Sequence, residues 1–567
     1  MNTTVVALIA LALYLIFYFV YGKQLQTKLV RSHEAPDAPS KRLNDGIDFV
    51  PTSKYVLFGH HFASIAGAGP ITGPAMAIVW GWLPGLLWVW FGNIFVGAIH
   101  DYLSLVASVR YDGRSVQYVA QDVVGSKAGK SFGWFILFLC VLVVAAFGDI
   151  VAGQFAAGNG EVASTFFLFC LAAIILGGLM YHTKLGVGLS TLVGIAMLIG
   201  AFALGAKFGI KTGKTVWFLV IFVYIVLAST MPVNILLQPR DYLNSFLLYF
   251  GILIGGVAAI ISFRGFTLPA ATTFAAKGAI GSVAAPFWPA IPLVIACGAL
   301  SGFHSLVASG TSSKQLRDEK DALFIGYGAM LTEGFLATIG VIAMAAFGSV
   351  AFGSQEGLLK AGAIPRFTNS FGVMVNAAIP FISVKFMTLF AAIWVSSFAM
   401  TSLDTTNRLG RYIVAELALP LKDKNPGAFK FLSDKWAASI IVGFLGIGLA
   451  YTGNYTVLWP AFSGANQLIA SIVMLTVALW VKQKLNEKYV NLILVPAILL
   501  WITVTAGVIW YTAVVIPGMF ANPDNVRSII TGVVVGFINI VMLILNFISM
   551  AGFIRNFNVR RAAPARA

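Results

Sequence analysis

Charge is scarce in this chain: 10% of its 567 residues are Asp, Glu, Lys or Arg, against about 25% in an ordinary water-soluble domain. So little charge cannot coat a water-facing surface. Cysteine is scarcer still. Cys140, Cys170 and Cys297 all sit inside apolar runs, with no C-x-x-C pair and no Cys/His cluster, so neither a disulfide framework nor a structural metal is expected. Phosphate-cradling, nucleophile-elbow and zinc-helix motifs are missing too. That leaves no pointer to an ATP motor, a hydrolase or any other enzyme, and no cofactor is implied. No stretch between apolar runs approaches the roughly 50 residues of a small domain, which argues against a sensor with a soluble output unit.

What the chain has instead is hydrophobic residues, 59% of the total, gathered into runs of about 20, long enough to cross a hydrocarbon core of about 30 Å. The expected fold class is an all-α polytopic membrane protein with about fifteen transmembrane helices. They fall near 3–22, 55–79, 80–108, 131–157, 161–181, 185–206, 216–236, 242–263, 286–309, 322–347, 380–403, 436–452, 458–481, 490–515 and 528–552. The first run is read as a retained helix, because no positive charge precedes it and Lys23 follows it.

The net charge of +16 reads as topology and not as affinity for nucleic acid, because cytoplasmic loops collect Lys and Arg. With the N-terminus outside and alternate crossings, the basic clusters at Lys23–Arg42, Lys422–Lys435 and Arg555–Arg561 all fall inside, as does the C-terminus. The basic tail from Arg560 to Ala567 is expected to be disordered.

Two segments make poor continuous helices. One reads GHHFASIAGAGPITGP, Gly59 to Pro74; the other reads ACGALSGFHSLVASGT, Ala296 to Thr311. Glycine costs about 1 kcal/mol in a helix interior and proline about 3 kcal/mol, so each segment invites an unwound stretch near mid-membrane. Such backbone survives in a bilayer only where it lines a cavity or is buried in protein. Both segments fit Gly-x-His-x-x-x-x-x-Gly, as Gly59/His61/Gly67 and Gly302/His304/Gly310, and the alternation makes them cross in opposite directions. Paired, interrupted, oppositely oriented segments point to inverted repeats with a site at their interface. The expected organisation is an N-terminal helix and loop (1–54), a five-helix repeat (55–206), two intervening helices (207–285), a second five-helix repeat (286–481) and two final helices with the tail (482–567).

Ionisable groups within membrane segments are costly and mark candidate sites. His60, His61, Ser64, Gly67 and Gly69 on the first interrupted segment, with His304, Ser305, Ser309 and Gly310 on the second, are the candidate solute-binding residues. Asp101 and Glu333, each on the second helix of a repeat, are candidates to take a coupling proton or to bind an amine group of the solute, with packing or helix termination as the alternative. His100 and Asp149 are weaker candidates. Ser397, Thr401 and Asp404 supply the hard oxygen ligands a small cation favours, although Ser and Thr are also ordinary packing residues in membrane helices. The Gln238–Tyr242 and Asp112–Arg114 stretches read as turn punctuation on the inside, with a local Arg–Asp pair in each that fixes the turn or, as the alternative, acts as a gate.

The run from Asn44 to Thr52, the GHHFASIAGAGPITGP run, Arg110–Ser115, Gln238–Tyr242, the ACGALSGFHSLVASGT run, Ile325–Gly328, Leu458–Phe462 and Ala465–Gln467 together resemble the carbon starvation protein A family over most of the chain. The resemblance implies a LeuT-like 5+5 inverted repeat with extra helices, in a bacterial plasma membrane. In LeuT-like transporters the third helix of the second repeat supplies hydroxyls to a sodium ion, which Ser397 and Thr401 match. It further implies a secondary transporter importing peptides during carbon starvation, with a proton-coupled pyruvate or small-carboxylate symporter as the alternative. The coupling ion stays open between H+ and Na+. A rival from another class is an ion channel, which would need a continuous polar pore where interrupted, inverted segments favour an occluded site.

Overall fold

The computed structural model describes residues 1–559 apart from 36, 47, 159, 183–186 and 233–234. The basic tail from Arg560 onward lies outside the described residues. Helix dominates, and one two-residue hairpin pairs Ala275–Ala276 with Ala285–Pro286. Among the described residues twelve helices are long and apolar enough to cross a bilayer, and a bent helix pair makes a thirteenth span. This is an all-α polytopic membrane architecture.

In chain order the helices are α1 (Thr3–Val30), the bent pair α2 (Lys54–Ile65) and α3 (Gly69–Trp80), α4 (Trp82–Arg110), α5 (Ser126–Ala156), α6 (Glu161–His182), α7 (Val187–Gly205), α8 (Lys214–Thr230) and α9 (Leu237–Ile261). There follow a short α10 (Gly302–Val307), then α11 (Glu319–Ala351), α12 (Ala363–Ala378), α13 (Val384–Leu417), α14 (Lys435–Thr452), α15 (Tyr455–Lys484), α16 (Asn491–Gly518) and α17 (Val526–Asn556). Two of the apolar segments expected from sequence are not long rods. Segment 216–236 forms the 17-residue α8, and 286–309 is irregular. Conversely α12 occupies a stretch with no long apolar run. It is amphipathic, and its Arg366 is buried, with the guanidinium donating to the carbonyls of Leu358, Leu359 and Ala75.

At the centre lies α15, buried from Val457 to Val481 without a break. Against it pack α16, α5 and α17, and α5 in turn packs on α13 and α14. The outer helices carry the exposed apolar side chains, among them Leu192 and Ile199 on α7, Leu499 on α16 and Phe537 and Ile544 on α17. Facing acyl chains, these need no further cover.

The first interruption bends the chain by 43° between α2 and α3. Ala66 leaves helical geometry at φ −78°, ψ 66°, and the Gly67 N–H turns back to the Ile65 carbonyl at 2.9 Å. The second interruption precedes its histidine motif. Residues 295–301 form turns without regular helix, α10 starts at Gly302, and a π-helical turn (Ala308–Ser312) carries it on.

The two interrupted stretches lie side by side and antiparallel. Thr52 N–H bonds the Gln315 carbonyl at 3.0 Å, and His61 meets Ser312 at 2.8 Å. Further along, Gly69 and Gly73 abut Cys297 and Ile295, and the Trp80 indole donates to the Ala285 carbonyl at 3.0 Å. As numbers rise along one stretch they fall along the other. Gly73 permits this approach, since a β-carbon there would sit 2.9 Å from the Val294 carbonyl oxygen.

Candidate functional site

Unwinding frees backbone carbonyls, and buried carbonyls need donors. At the second interruption the donors come from α15 and α4. The Ser463 hydroxyl donates to the Pro292 carbonyl at 2.6 Å, the Trp459 indole to Val294 at 2.9 Å and the Gln467 amide to Ile295 at 2.8 Å. From α4, Trp88 donates to Ile295 at 3.2 Å and Asn93 to Gly298 at 3.1 Å. The Asn466 side chain accepts the Phe303 N–H at 2.9 Å and donates to Ser301 Oγ at 3.0 Å, capping α10. Protein thus takes up the backbone that the sequence leaves bare here. The signal was present in the sequence: Trp459, Ser463, Asn466 and Gln467 follow the i, i+4, i+7, i+8 spacing of one helix face.

The first interruption faces other elements. A β-carbon at Gly67 would lie 2.9 Å from Ser402 Oγ on α13 and 3.9 Å from the Phe147 ring on α5. Phe147 belongs to an aromatic group with Trp459 and Phe462, at centroid distances of 5.7 and 5.4 Å. Sequence reasoning singled out neither Phe147 nor Ser402, because nothing local distinguishes them from packing residues.

Three histidines and two carboxylates gather between α2, α4, α10 and α11, all fully buried. Asp101 on α4 accepts from two imidazoles, His100 Nδ1 at 2.7 Å and His304 Nδ1 at 2.9 Å. The other nitrogen of His304 faces Glu333 Oε2 on α11 at 3.6 Å. Neither Glu333 oxygen has a hydrogen-bond partner among the described residues, and the same holds for His61 Nε2. His61 and His304, singled out separately from their motif, thus lie in one neighbourhood with Asp101 and Glu333.

The remaining candidates are placed differently. His60 is half-buried, and its carbonyl takes the Ser64 hydroxyl at 2.8 Å. Ser305 and Ser309 donate to carbonyls of their own helical run, Gly302 and Ser305, each at 2.7 Å, and Ser309 Oγ also accepts the Val116 N–H at 3.1 Å. Gly310 is exposed within the helical run and not at the break. Gly69 packs on the Cys297 side chain.

Asp404 and Thr401 belong to a second buried cluster, where α9 meets α13. The Arg240 guanidinium, fully buried, pairs with Asp404 and donates to Asp241 at 2.8 Å. Tyr224 on α8 accepts from Arg240 at 2.6 Å. Thr401 Oγ1 accepts from Asn244 at 2.9 Å, and the buried Ser397 hydroxyl, one turn away, has no partner among the described residues. The expectation that Gln238–Tyr242 forms an inside turn is therefore corrected. Leu237 begins α9, and Arg240 is a core residue because a partner 164 positions away neutralises it. The Arg110–Ser115 stretch also ties to distant elements. Arg110 forks onto both Glu319 oxygens at 2.8 and 3.1 Å. Asp149 pairs with Lys214 at 2.6 Å and accepts the Tyr455 N–H, a tie between helix ends.

Comparison with known proteins adds a family to this geometry. The family described as Carbon starvation protein CstA matches residues 2–354 and 348–507. A Bacillus subtilis (strain 168) protein named Peptide transporter CstA is 31% identical over 605 residues, covering 98% of this chain and 97% of its own. An Escherichia coli (strain K12) protein named Pyruvate/proton symporter BtsT is 28% identical over 592 residues, covering 88% and 80%. Among solved structures, an Eremococcus coleocola manganese transporter is similar at 12% identity and a TM-score of 0.48, covering 91% of this chain and 99% of its own.

Proposed function

The chain belongs to the carbon starvation protein CstA family, and from that premise we propose that it imports small peptides across a bacterial plasma membrane by ion-coupled alternating access. The observation that carries the reading is the antiparallel contact of two interrupted stretches in the protein core. Irregular backbone is tolerated at membrane depth where it serves a site or is enclosed by protein, and such pairs form transport sites at repeat interfaces.

The solute lies at the first interruption. There the positive end of α3 favours a carboxylate, beside Gly67, the Phe147 ring and the Ser402 hydroxyl. The five spans from α2/α3 to α7 form one repeat and those from the second interruption to α15 the other, in LeuT-like order. Lys and Arg asymmetry orients the chain with its N-terminus outside.

A second reading, proton-coupled pyruvate uptake, draws on the name of the Escherichia coli relative and on the buried His304–Glu333 contact. A carboxylate is common to both solutes, so uptake separates them. Proteoliposomes should accumulate a labelled dipeptide under an inward ion gradient. Accumulation of pyruvate alone would install the second reading. Accumulation of neither, under proton or sodium gradients, would sink both.

A further inference from the structure

We propose that one exchangeable proton is held between His304 Nε2 and the Glu333 carboxyl, and that this proton is the coupling ion. The proposal rests on the reading of the chain as an ion-coupled transporter, and it fixes which ion and where.

Hydrogen counting leads to it. A carboxylate only accepts, so the two ring nitrogens that meet Asp101, His100 Nδ1 and His304 Nδ1, both carry hydrogen. With Nδ1–H committed, a neutral His304 has a bare lone pair at Nε2. That lone pair faces Glu333 Oε2 at 3.6 Å, inside ion-pair range and outside hydrogen-bond range. Both Glu333 oxygens are buried without a donor among the described residues. Two acceptors opposed in a dry interior repel, and an ionised carboxylate there has nothing to stabilise it.

One proton resolves the conflict in either of two forms. The Glu333 carboxylic acid donates to Nε2, or imidazolium Nε2–H donates to the carboxylate. Each form contains the same atoms. Among the described residues no fixed cation substitutes for the proton. The groups acting on this neighbourhood are Asp101 and His100 from α4, His60 and His61 from α2, and Cys297 from the unwound stretch. None is a lysine or arginine. Two carboxylates thus share the interior with imidazole rings, and a proton taken from outside balances one of them.

The position suits coupling. His304 rides on the second interrupted stretch, whereas Glu333 belongs to the continuous α11. A bound proton ties the two together. Its release inward leaves lone pairs opposed and loosens α10 from α11.

The test is Glu333→Gln in proteoliposomes. Its amide donates to Nε2 permanently and cannot release a proton. Accumulation driven by an inward proton gradient should fall on the order of tenfold or more, while solute exchange at equal pH persists. Retained gradient-driven accumulation would overturn the proposal. A second measurement needs no substrate. Infrared difference spectra of purified protein between acid and alkaline pH should show a buried carboxylic-acid band that Glu333→Gln removes and His304→Gln shifts. A band indifferent to both substitutions would overturn the proton site even if uptake of every tested solute failed. An infrared result as expected, with no peptide or pyruvate uptake, would leave the proton site standing and remove only the solute assignment.

Discussion

Arg240 and Asp404 illustrate how a single residue's role depends on its partner. Each is fully buried, and a buried charge without its counter-charge costs about 3–5 kcal/mol. Asp404→Asn should therefore destabilise the protein, by less than that full cost because Asp241 still pairs with Arg240, read as a lowered midpoint of thermal unfolding in detergent. Replacing both, as Arg240→Met with Asp404→Leu, should recover part of the loss, because the two fully buried charges go together and only the partly exposed Asp241 loses its partner. If the double variant unfolds no later than the single one, the pair does more than neutralise itself. By contrast Ser305→Ala should cost only about 1 kcal/mol, since its hydroxyl only returns to its own helix.

At the scale of elements, the interrupted stretches depend on close approach. Gly67 sits where any β-carbon would press on Ser402 Oγ at 2.9 Å. Gly67→Ala should therefore shift α2/α3 away from α13 and reduce solute uptake. Adding Ser402→Ala removes the opposing oxygen and should restore uptake in part. Absence of rescue, measured as initial uptake rate at matched protein content, would mean that Gly67 serves its backbone turn and not this contact. The clasp of α15 on the second interruption works in the opposite way. Trp459, Ser463, Asn466 and Gln467 add contacts where the backbone lacks them, so that stretch is held by another helix and not by its own hydrogen bonds.

At the scale of the whole molecule, charge asymmetry sets the expected orientation. Cys140, Cys170 and Cys297 are all buried, so a cysteine introduced on the surface supplies the main accessible thiol. Lys424→Cys, in the basic loop between α13 and α14, should react with an impermeant maleimide only after the cytoplasmic face is opened. Labelling of intact cells instead would invert the proposed topology. Within that topology the His304–Glu333 contact and the Gly67 cleft sit against different helices. α4 and α11 flank the first, and α5 and α13 flank the second.

Sequence alone determined the solvent, the helical class, the family resemblance and the two weak segments. Hydropathy and the glycine and proline penalties are sums over neighbouring residues, and neighbours are what a sequence displays. It placed Asp101, Glu333, His61 and His304 under suspicion for the same local reason, a titratable group within an apolar run. Tertiary structure decided who meets whom. It gave Asp404 to Arg240, set Glu333 opposite His304 instead of a cation, occupied the freed carbonyls with α15, and made a buried helix of the amphipathic α12. Hydrogen bonds and ion pairs depend on distances between residues far apart along the chain, and no sum over neighbours contains those distances.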